Sequence, residues 1–457
     1  MNSLKQWLQK TPYAAYSYSY PHKTAYRKLS PPFALQDVWQ SENREALFLY
    51  LHVPFCEMRC GFCNLFTTVR HDDEMEKPYL AALEIQARQV REAIAPAQFA
   101  GLAIGGGTPT FLSAAGLHRL FDIAEEIMGA RPLDIPVSVE TSPLTATPEK
   151  LQILKSRGAN RISIGVQSFV ESEVRAGGRA QKTDDVLAAL NAIRDANFST
   201  LNIDLILGLP GQTTESLQVS LYAALQFRPE EIFLYPLYVR PLTGLGKRAQ
   251  NGKIEVENLA RRDLYRAGRD FLLENGYHQI SLRQFQKTLP PRGHPPALPL
   301  TKGKGECGPV YCCQQDGMIG LGAGARSYSS TLHYSGEYAV GATGVREILH
   351  NYMARPAVSF DYADYGFQLN EEEQKRRYII QSLGHVEGLN FVAYADYFGS
   401  EAMAEFPQLR ELEELGLMQN DGTGLRPTSA GLENADVIGP WLASHQVRSQ
   451  METFALR

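Results

Sequence analysis

The chain alternates short, almost wholly apolar runs with longer stretches of mixed polarity. The apolar runs are ALFLYLHV (46–53), FAGLAI (99–104), PVSVE (136–140), RISIGV (161–166), TLNIDLI (200–206) and EIFLYPL (231–237). Each is of strand length and carries β-branched or aromatic residues. Between them, MEKPYLAALEIQARQVREAI (75–94) repeats apolar residues at Leu80, Leu83, Ile85, Ala87 and Val90, a spacing that predicts a helix. Further helices are predicted near 148–157, 183–196 and 213–226, with another starting near Ser113, a suitable N-cap. No hairpin turn separates the strands, so crossover connections are expected. The pattern predicts an α/β parallel sheet, either curled into a barrel or open and doubly wound.

In such sheets, chemistry gathers in the loops at the carboxyl ends of the strands. The polar and glycine-rich features fall at those places. A cysteine loop follows the first run, Gly105-Gly106-Gly107-Thr108-Pro109-Thr110 follows the second, and Glu140 ends the third. Gln167 closes the fourth, Asp204 lies within the fifth, and Pro236 lies near the end of the sixth. One shared site is the simplest reading.

Composition narrows the setting. With 457 residues, 44% hydrophobic and 21% charged, the chain is long enough for two to three domains or one large barrel with an appendage. The net charge of −5 gives no bulk reason to expect a nucleic acid or an anionic membrane as partner. The sequence MNSLKQWLQK lacks the apolar core of a signal peptide, and no run approaches membrane-spanning length, so the chain is read as cytoplasmic. Six cysteines are too few for a disulfide scaffold, whereas Cys56, Cys60 and Cys63 in one loop suit a metal. A closed zinc site with His52 as fourth ligand is one possibility. The other is an iron–sulfur cluster in which three thiolates leave one iron open to a substrate or cofactor.

The C-x3-C-x2-C spacing, with Phe62 before the last cysteine, resembles the radical S-adenosylmethionine (SAM) superfamily. Within it, YLHVPFC (50–56) is similar to the motif of the oxygen-independent coproporphyrinogen III oxidase group, which also includes heme chaperones and two-SAM methyltransferases. SYSYP (17–21), GGGTPT (105–110), IGVQSF (164–169), NIDLILGLPGQT (202–213) and GLGAGARSY (320–328) resemble further segments of that group. The resemblance implies a partial TIM-like (β/α)6 barrel holding a [4Fe–4S] cluster on Cys56, Cys60 and Cys63. It implies SAM contacts, from one molecule or two, at Tyr50, Phe62, Gly106, Gly107, Thr108, Glu140, Gln167, Arg179 and Asp204. Pro236 and Arg326 fall at two further contact positions without the residues typical of the oxidase. The implied reaction is hydrogen abstraction from a small-molecule or peptide substrate by a 5′-deoxyadenosyl radical, with an electron donor such as flavodoxin or ferredoxin.

Departures limit the functional expectation. Leu65 stands where the oxidase carries a further cysteine, and GPVYCC (308–313) lacks the histidine and tryptophan of the heme chaperones. Oxidation, methyl transfer and a non-catalytic chaperone or scaffold therefore stay open. Cys307, Cys312 and Cys313 are read as partly buried strand residues or a redox set, since adjacent residues of a strand face opposite ways. The Pro- and Gly-rich stretch 288–305 is expected to be a flap, with Arg292, His294, Lys302 and Lys304 as contacts for an anionic substrate. Four regions are expected: an N-terminal extension (1–45), the barrel (46–285), the flap with barrel-completing strands (286–356), and a mainly helical, winged-helix-like domain (357–457). After residue 370, 14 Asp and Glu stand against 7 Lys and Arg, the wrong sign for phosphate contact.

Overall fold

All six apolar runs form strands, Leu47–Val53, Phe99–Gly106, Val137–Thr141, Arg161–Gln167, Thr200–Leu207 and Glu231–Pro236, each parallel to the next. A computed structural model describes residues 3–9, 13, 19–69, 75–252, 258–288, 311–312 and 315–455. Neighbours in the sheet follow chain order with no reversal. Right-handed crossovers then put every helix on one face, which is the winding of a barrel and not of a doubly wound sheet.

The strands read with period two. Leu49, Leu51, Val137, Val139, Ile162, Ile164, Ile203 and Leu205 belong to one buried core with the outer helices. The alternate residues, among them Tyr50, Ser138, Glu140, Ser163, Asn202 and Asp204, therefore face the concave side. Small-molecule sites are built on such polar inner faces.

Helix Glu76–Ile94 forms as expected and buries Leu80, Leu83, Ala87 and Val90. Ile85 is instead exposed. The next helix, Ala114–Asp122, is capped by Ser113, whose hydroxyl accepts from the Gly116 N–H. Ser113 N–H in turn donates to Glu76 Oε2 at 3.0 Å, tying the two helices together.

Met318–Leu321 adds a parallel strand beside Leu47–Val53, and Arg326–Tyr328, Leu332–Ser335, Tyr362–Gln368 and Arg27–Ala34 continue the sheet antiparallel. Residues near both ends of the chain thus close one edge. At the other edge, Gln284–Gln286 and His278–Gln279 pair antiparallel to Glu231–Pro236. The C-terminal region is a second core of short helices around a small sheet of Leu389–Asn390, Gly424–Pro427 and Met418–Asn420. A buried ion pair, Arg283 to Asp436 at 2.5 Å, fastens it to the barrel. Among the described residues no helix is long and apolar enough to cross a membrane.

Candidate functional site

The first barrel strand runs into Phe55–Cys56, which pairs in parallel with Thr68–Val69 and closes the cysteine loop at its base. Inside the loop, Cys63 N–H donates to Cys60 O at 3.1 Å, and Gly61 N–H donates to Gly178 O at 3.1 Å. The glycine-rich loop is fastened to the same strand: Gly107 N–H donates to Val53 O and Thr108 N–H to Phe55 O, both at 2.7 Å. The two motifs form one hydrogen-bonded unit.

All three thiols are partly open to solvent, and each has a polar neighbour. Thr108 Oγ1 donates to Cys56 Sγ at 3.7 Å, Arg179 Nη1 to Cys60 Sγ at 3.3 Å, and Cys63 Sγ lies 3.9 Å from Thr67 Oγ1. Burial, then the neighbouring Cys63, pushes the Cys56 thiol up to about 12. Burial also raises Cys60, with Arg179 opposing it. Bound metal is the positive charge that turns such thiols into thiolate ligands. Donors aimed at sulfur suit an anionic, metal-bound state.

A zinc site with His52 as fourth ligand does not fit. His52 is engaged elsewhere, its Nε2 3.0 Å from Phe66 O and its Nδ1 3.2 Å from the Tyr50 hydroxyl. Burial lowers its imidazole to about 4, so it stays neutral.

The glycines carry a meaning that the sequence reading missed. Gly106 sits at φ +114°, and a Cβ there would lie 2.5 Å from His52 Cε1. A Cβ on Gly107 would lie 2.9 Å from Cys56 Sγ. These two positions are bare of side chains because His52, the Phe55 carbonyl and Cys56 occupy that space.

Further along the inner face, Gly106 N–H donates to Glu140 Oε2 at 3.0 Å. Glu140 is open to solvent on the concave side and surrounded by protein elsewhere. That enclosure raises its carboxyl, opposed by the Gly106 N–H and Arg161. Asp204 accepts from Asn202 Nδ2 at 2.7 Å and from Ser163 Oγ at 3.2 Å. Burial, with the Glu140 charge adding, still lifts it to about 7. Beneath both lies Arg161, buried and paired with Glu231 at 2.8 Å. Sequence reasoning missed this pair, whose one signal was an Arg opening an otherwise apolar strand.

The other expected residues divide. Gln167 closes its strand in the left-handed region, φ 69°, where the register slips by one residue; such strain in a bulky residue marks functional sites. Phe62 packs on the apolar cluster of Ile206, Leu209, Leu237 and Leu245, and Pro236 is buried beside Leu207. Tyr50 reaches His52, as above. Arg179 is held by Gln181 Oε1 at 2.8 Å and Gly165 O at 3.0 Å as well as Cys60. Its guanidinium thus addresses the cysteine loop. Arg326 Nη1 donates to Ser19 Oγ at 3.1 Å. Cys312 lies in a turn, not a strand: Gln315 and Asp316 N–H both donate to its carbonyl, at 3.0 and 2.7 Å. Cys307, Cys313, Arg292, His294, Lys302 and Lys304 lie outside the described residues, as does most of 288–305.

Residues 50–221 match the family model of the radical SAM superfamily, and 369–433 match the HemN C-terminal domain. The chain carries a radical SAM domain. This domain begins at Tyr50 and takes in the cysteine loop, the glycine loop, Glu140, Gln167, Arg179 and Asp204. The chain is 29% identical over 399 residues to the heme chaperone HemW of Bacillus subtilis (strain 168), covering 86% of this chain and 98% of that protein. It is 31% identical over 278 residues to the oxygen-independent coproporphyrinogen III oxidase of Escherichia coli (strain K12), covering 60% of this chain and 61% of the oxidase. The solved structure of the Escherichia coli coproporphyrinogen III oxidase superposes with a TM-score of 0.76 at 24% identity, over 92% of this chain and 97% of that one, a likeness of fold. Radical SAM proteins use a [4Fe–4S] cluster and SAM, and the three donor-flanked thiols fit that cluster.

Proposed function

We propose that this protein is a radical SAM enzyme acting on an organic substrate. Cys56, Cys60 and Cys63 would hold the [4Fe–4S] cluster through their thiolates. The observation that carries this reading is the set of three thiols in one loop, each beside a polar hydrogen-bonding group, hydrogen-bonded as a unit to the glycine loop whose Gly106 N–H donates to Glu140. When bound, the reduced cluster and SAM supply a 5′-deoxyadenosyl radical able to take hydrogen from an unactivated C–H bond.

The chain's own residues bind and orient. Glu140 and Asp204 would accept from the ammonium and ribose hydroxyls of SAM, and burial, which lifts Asp204 to about 7, lets that carboxyl hold a proton near neutral pH. Gly106, Gly107 and Thr108 present a strand edge without bulk, Gln167 reaches across from the fourth strand, and Tyr50 and Phe62 keep water from the cluster side. Arg179 directs an N–H at the Cys60 sulfur and stabilises its anionic form.

Incubating reconstituted, reduced protein with SAM tests the reading: an enzyme releases 5′-deoxyadenosine, and S-adenosylhomocysteine as well if a methyl group moves. A second reading has one observation of its own, the match to a heme chaperone over 98% of that protein's length. Under it the protein binds heme and releases no 5′-deoxyadenosine.

A further inference from the structure

The fourth barrel strand is interrupted at Gln167, and two side chains from one neighbouring segment take up three of its carbonyls. Gly165 pairs with Asp204 and Gln167 with Leu205, so Val166 bulges out of the ladder. Arg179 Nη2 donates to Gly165 O at 3.0 Å, and Gln181 Nε2 donates to Val166 O at 2.8 Å and to Ser168 O at 3.2 Å. The backbone is thereby held on both sides of Gln167. The Gln167 side chain folds back over the same point, since a Cβ on Gly165 would lie 2.7 Å from Gln167 Nε2.

Gln181 also holds Arg179, whose Nε donates to Gln181 Oε1 at 2.8 Å. Both residues are buried. The amide has one orientation: a guanidinium can only donate and a carbonyl can only accept, so Oε1 faces Arg179 and Nε2 faces the strand. With Nε on Gln181 and Nη2 on Gly165 O, the guanidinium plane is fixed at two corners, and Nη1 falls 3.3 Å from Cys60 Sγ. Two of these three acceptors are neutral oxygens, and the sulfur is the one that can carry charge. Backbone sets the same segment against the cysteine loop, where Gly61 N–H meets Gly178 O and a Cβ on Gly61 would lie 2.7 Å from Gly177 O.

We propose that Gln181 is a positioning residue of the cluster site: its amide grips the Gln167 bulge with one end and the Arg179 guanidinium with the other, and so aims an Arg179 N–H at Cys60. The inference rests on the radical SAM reading of the cysteine loop. An N–H directed at a cysteinyl sulfur favours the more negative, reduced state of a cluster. Gln181 acts on that sulfur only through Arg179. One side chain therefore governs two places in the site, the backbone that presents Gln167 and the electrostatics at Cys60.

Gln181→Met, similar in size and without hydrogen-bonding groups, is compared with wild type, Arg179→Gln and the double variant. Asn390→Ala is the control, since it removes the N-cap of the helix Phe391–Phe398 and costs stability far from the cysteine loop. In cluster-loaded protein, redox titration followed by electron paramagnetic resonance should show Gln181→Met keeping its iron while the reduced-to-oxidised ratio at a fixed potential falls about tenfold, a midpoint about 59 mV more negative. The double variant should match Arg179→Gln, because the two residues act in series. In cluster-free protein, hydrogen exchange across residues 165–169 should quicken about tenfold in Gln181→Met. Gln181→Asn keeps the amide on a shorter stem and should move both readouts in the same direction, which serves if the Met variant does not load iron. Asn390→Ala should move neither. An unchanged midpoint, shifts that add in the double variant, an equal shift in Asn390→Ala, or exchange as slow as in wild type would overturn the positioning role. Failure of wild type to take up iron removes the radical SAM reading instead, and exchange in the cluster-free protein still decides whether Gln181 holds the bulge.

Discussion

Replacing Asp204 by Asn isolates the electrostatics of the inner face. In the folded protein the carboxyl titrates at about 7 against 3.8 when unstructured, because burial and the Glu140 charge outweigh the bonds from Asn202 and Ser163. A carboxyl raised by folding holds its proton more tightly in the native state. It has no effect on stability below pH 3.8, withdraws stability as pH rises towards 7, and imposes its full cost above that. At about 1.36 kcal/mol per pH unit the full cost is about 4 kcal/mol. Water reaching the group along the concave face screens part of it, leaving about 2–4 kcal/mol. Asn keeps the shape and removes the titration, and relief of Glu140 acts in the same direction. Urea unfolding of SAM-free protein at pH 4 to 8 reads the effect. Wild type should lose about 2–4 kcal/mol more than Asp204→Asn across that range. Parallel profiles for the two proteins would refute the assignment of a strained, enclosed carboxyl.

Three further perturbations test other parts of the site. Gly106→Ala drives a Cβ into the His52 ring and forces a side chain into the left-handed region, so unfolding free energy should fall by about 2–4 kcal/mol, with cluster uptake impaired. Arg161→Met leaves Glu231 buried and unpaired and should cost about 3–5 kcal/mol by denaturant titration, with part of the loss recovered when Glu231→Gln is added. Arg179→Gln removes the N–H aimed at Cys60; iron content should hold while the cluster midpoint potential, followed by electron paramagnetic resonance, becomes more negative. An unchanged potential, with loss of bound SAM instead, would return Arg179 to a cofactor contact.

The parallel sheet was legible because its outer face obeys one rule. Residues such as Val137, Val139, Ile162 and Ile164 alternate with polar ones, and that period survives in a single sequence. The cysteine loop was legible from ligand spacing alone. The antiparallel edge was not: Arg326–Tyr328 and Leu332–Ser335 are three and four residues long, and their pairing with Tyr362–Gln368 and Arg27–Ala34 joins distant parts of the chain. The contact of Lys23 with Tyr338 escaped notice for the same reason, since more than two hundred residues separate them. Glycines 106 and 107 also leave room for His52, the Phe55 carbonyl and Cys56, a packing requirement that one sequence does not display. The bond from Arg179 to Cys60 was not legible, because a guanidinium's neighbours depend on the fold around it.

The most direct measurement is anaerobic reconstitution with iron and sulfide, followed by reduction in the presence of SAM. Wild-type protein should bind about four irons, show the paramagnetic signal of a reduced cubane, and release 5′-deoxyadenosine, while Cys56→Ala, Cys60→Ala and Cys63→Ala should each lose all three. Stoichiometric zinc with no iron signal, or 5′-deoxyadenosine formed equally by a cysteine variant, would contradict the assignment of these thiols to a SAM-binding cluster.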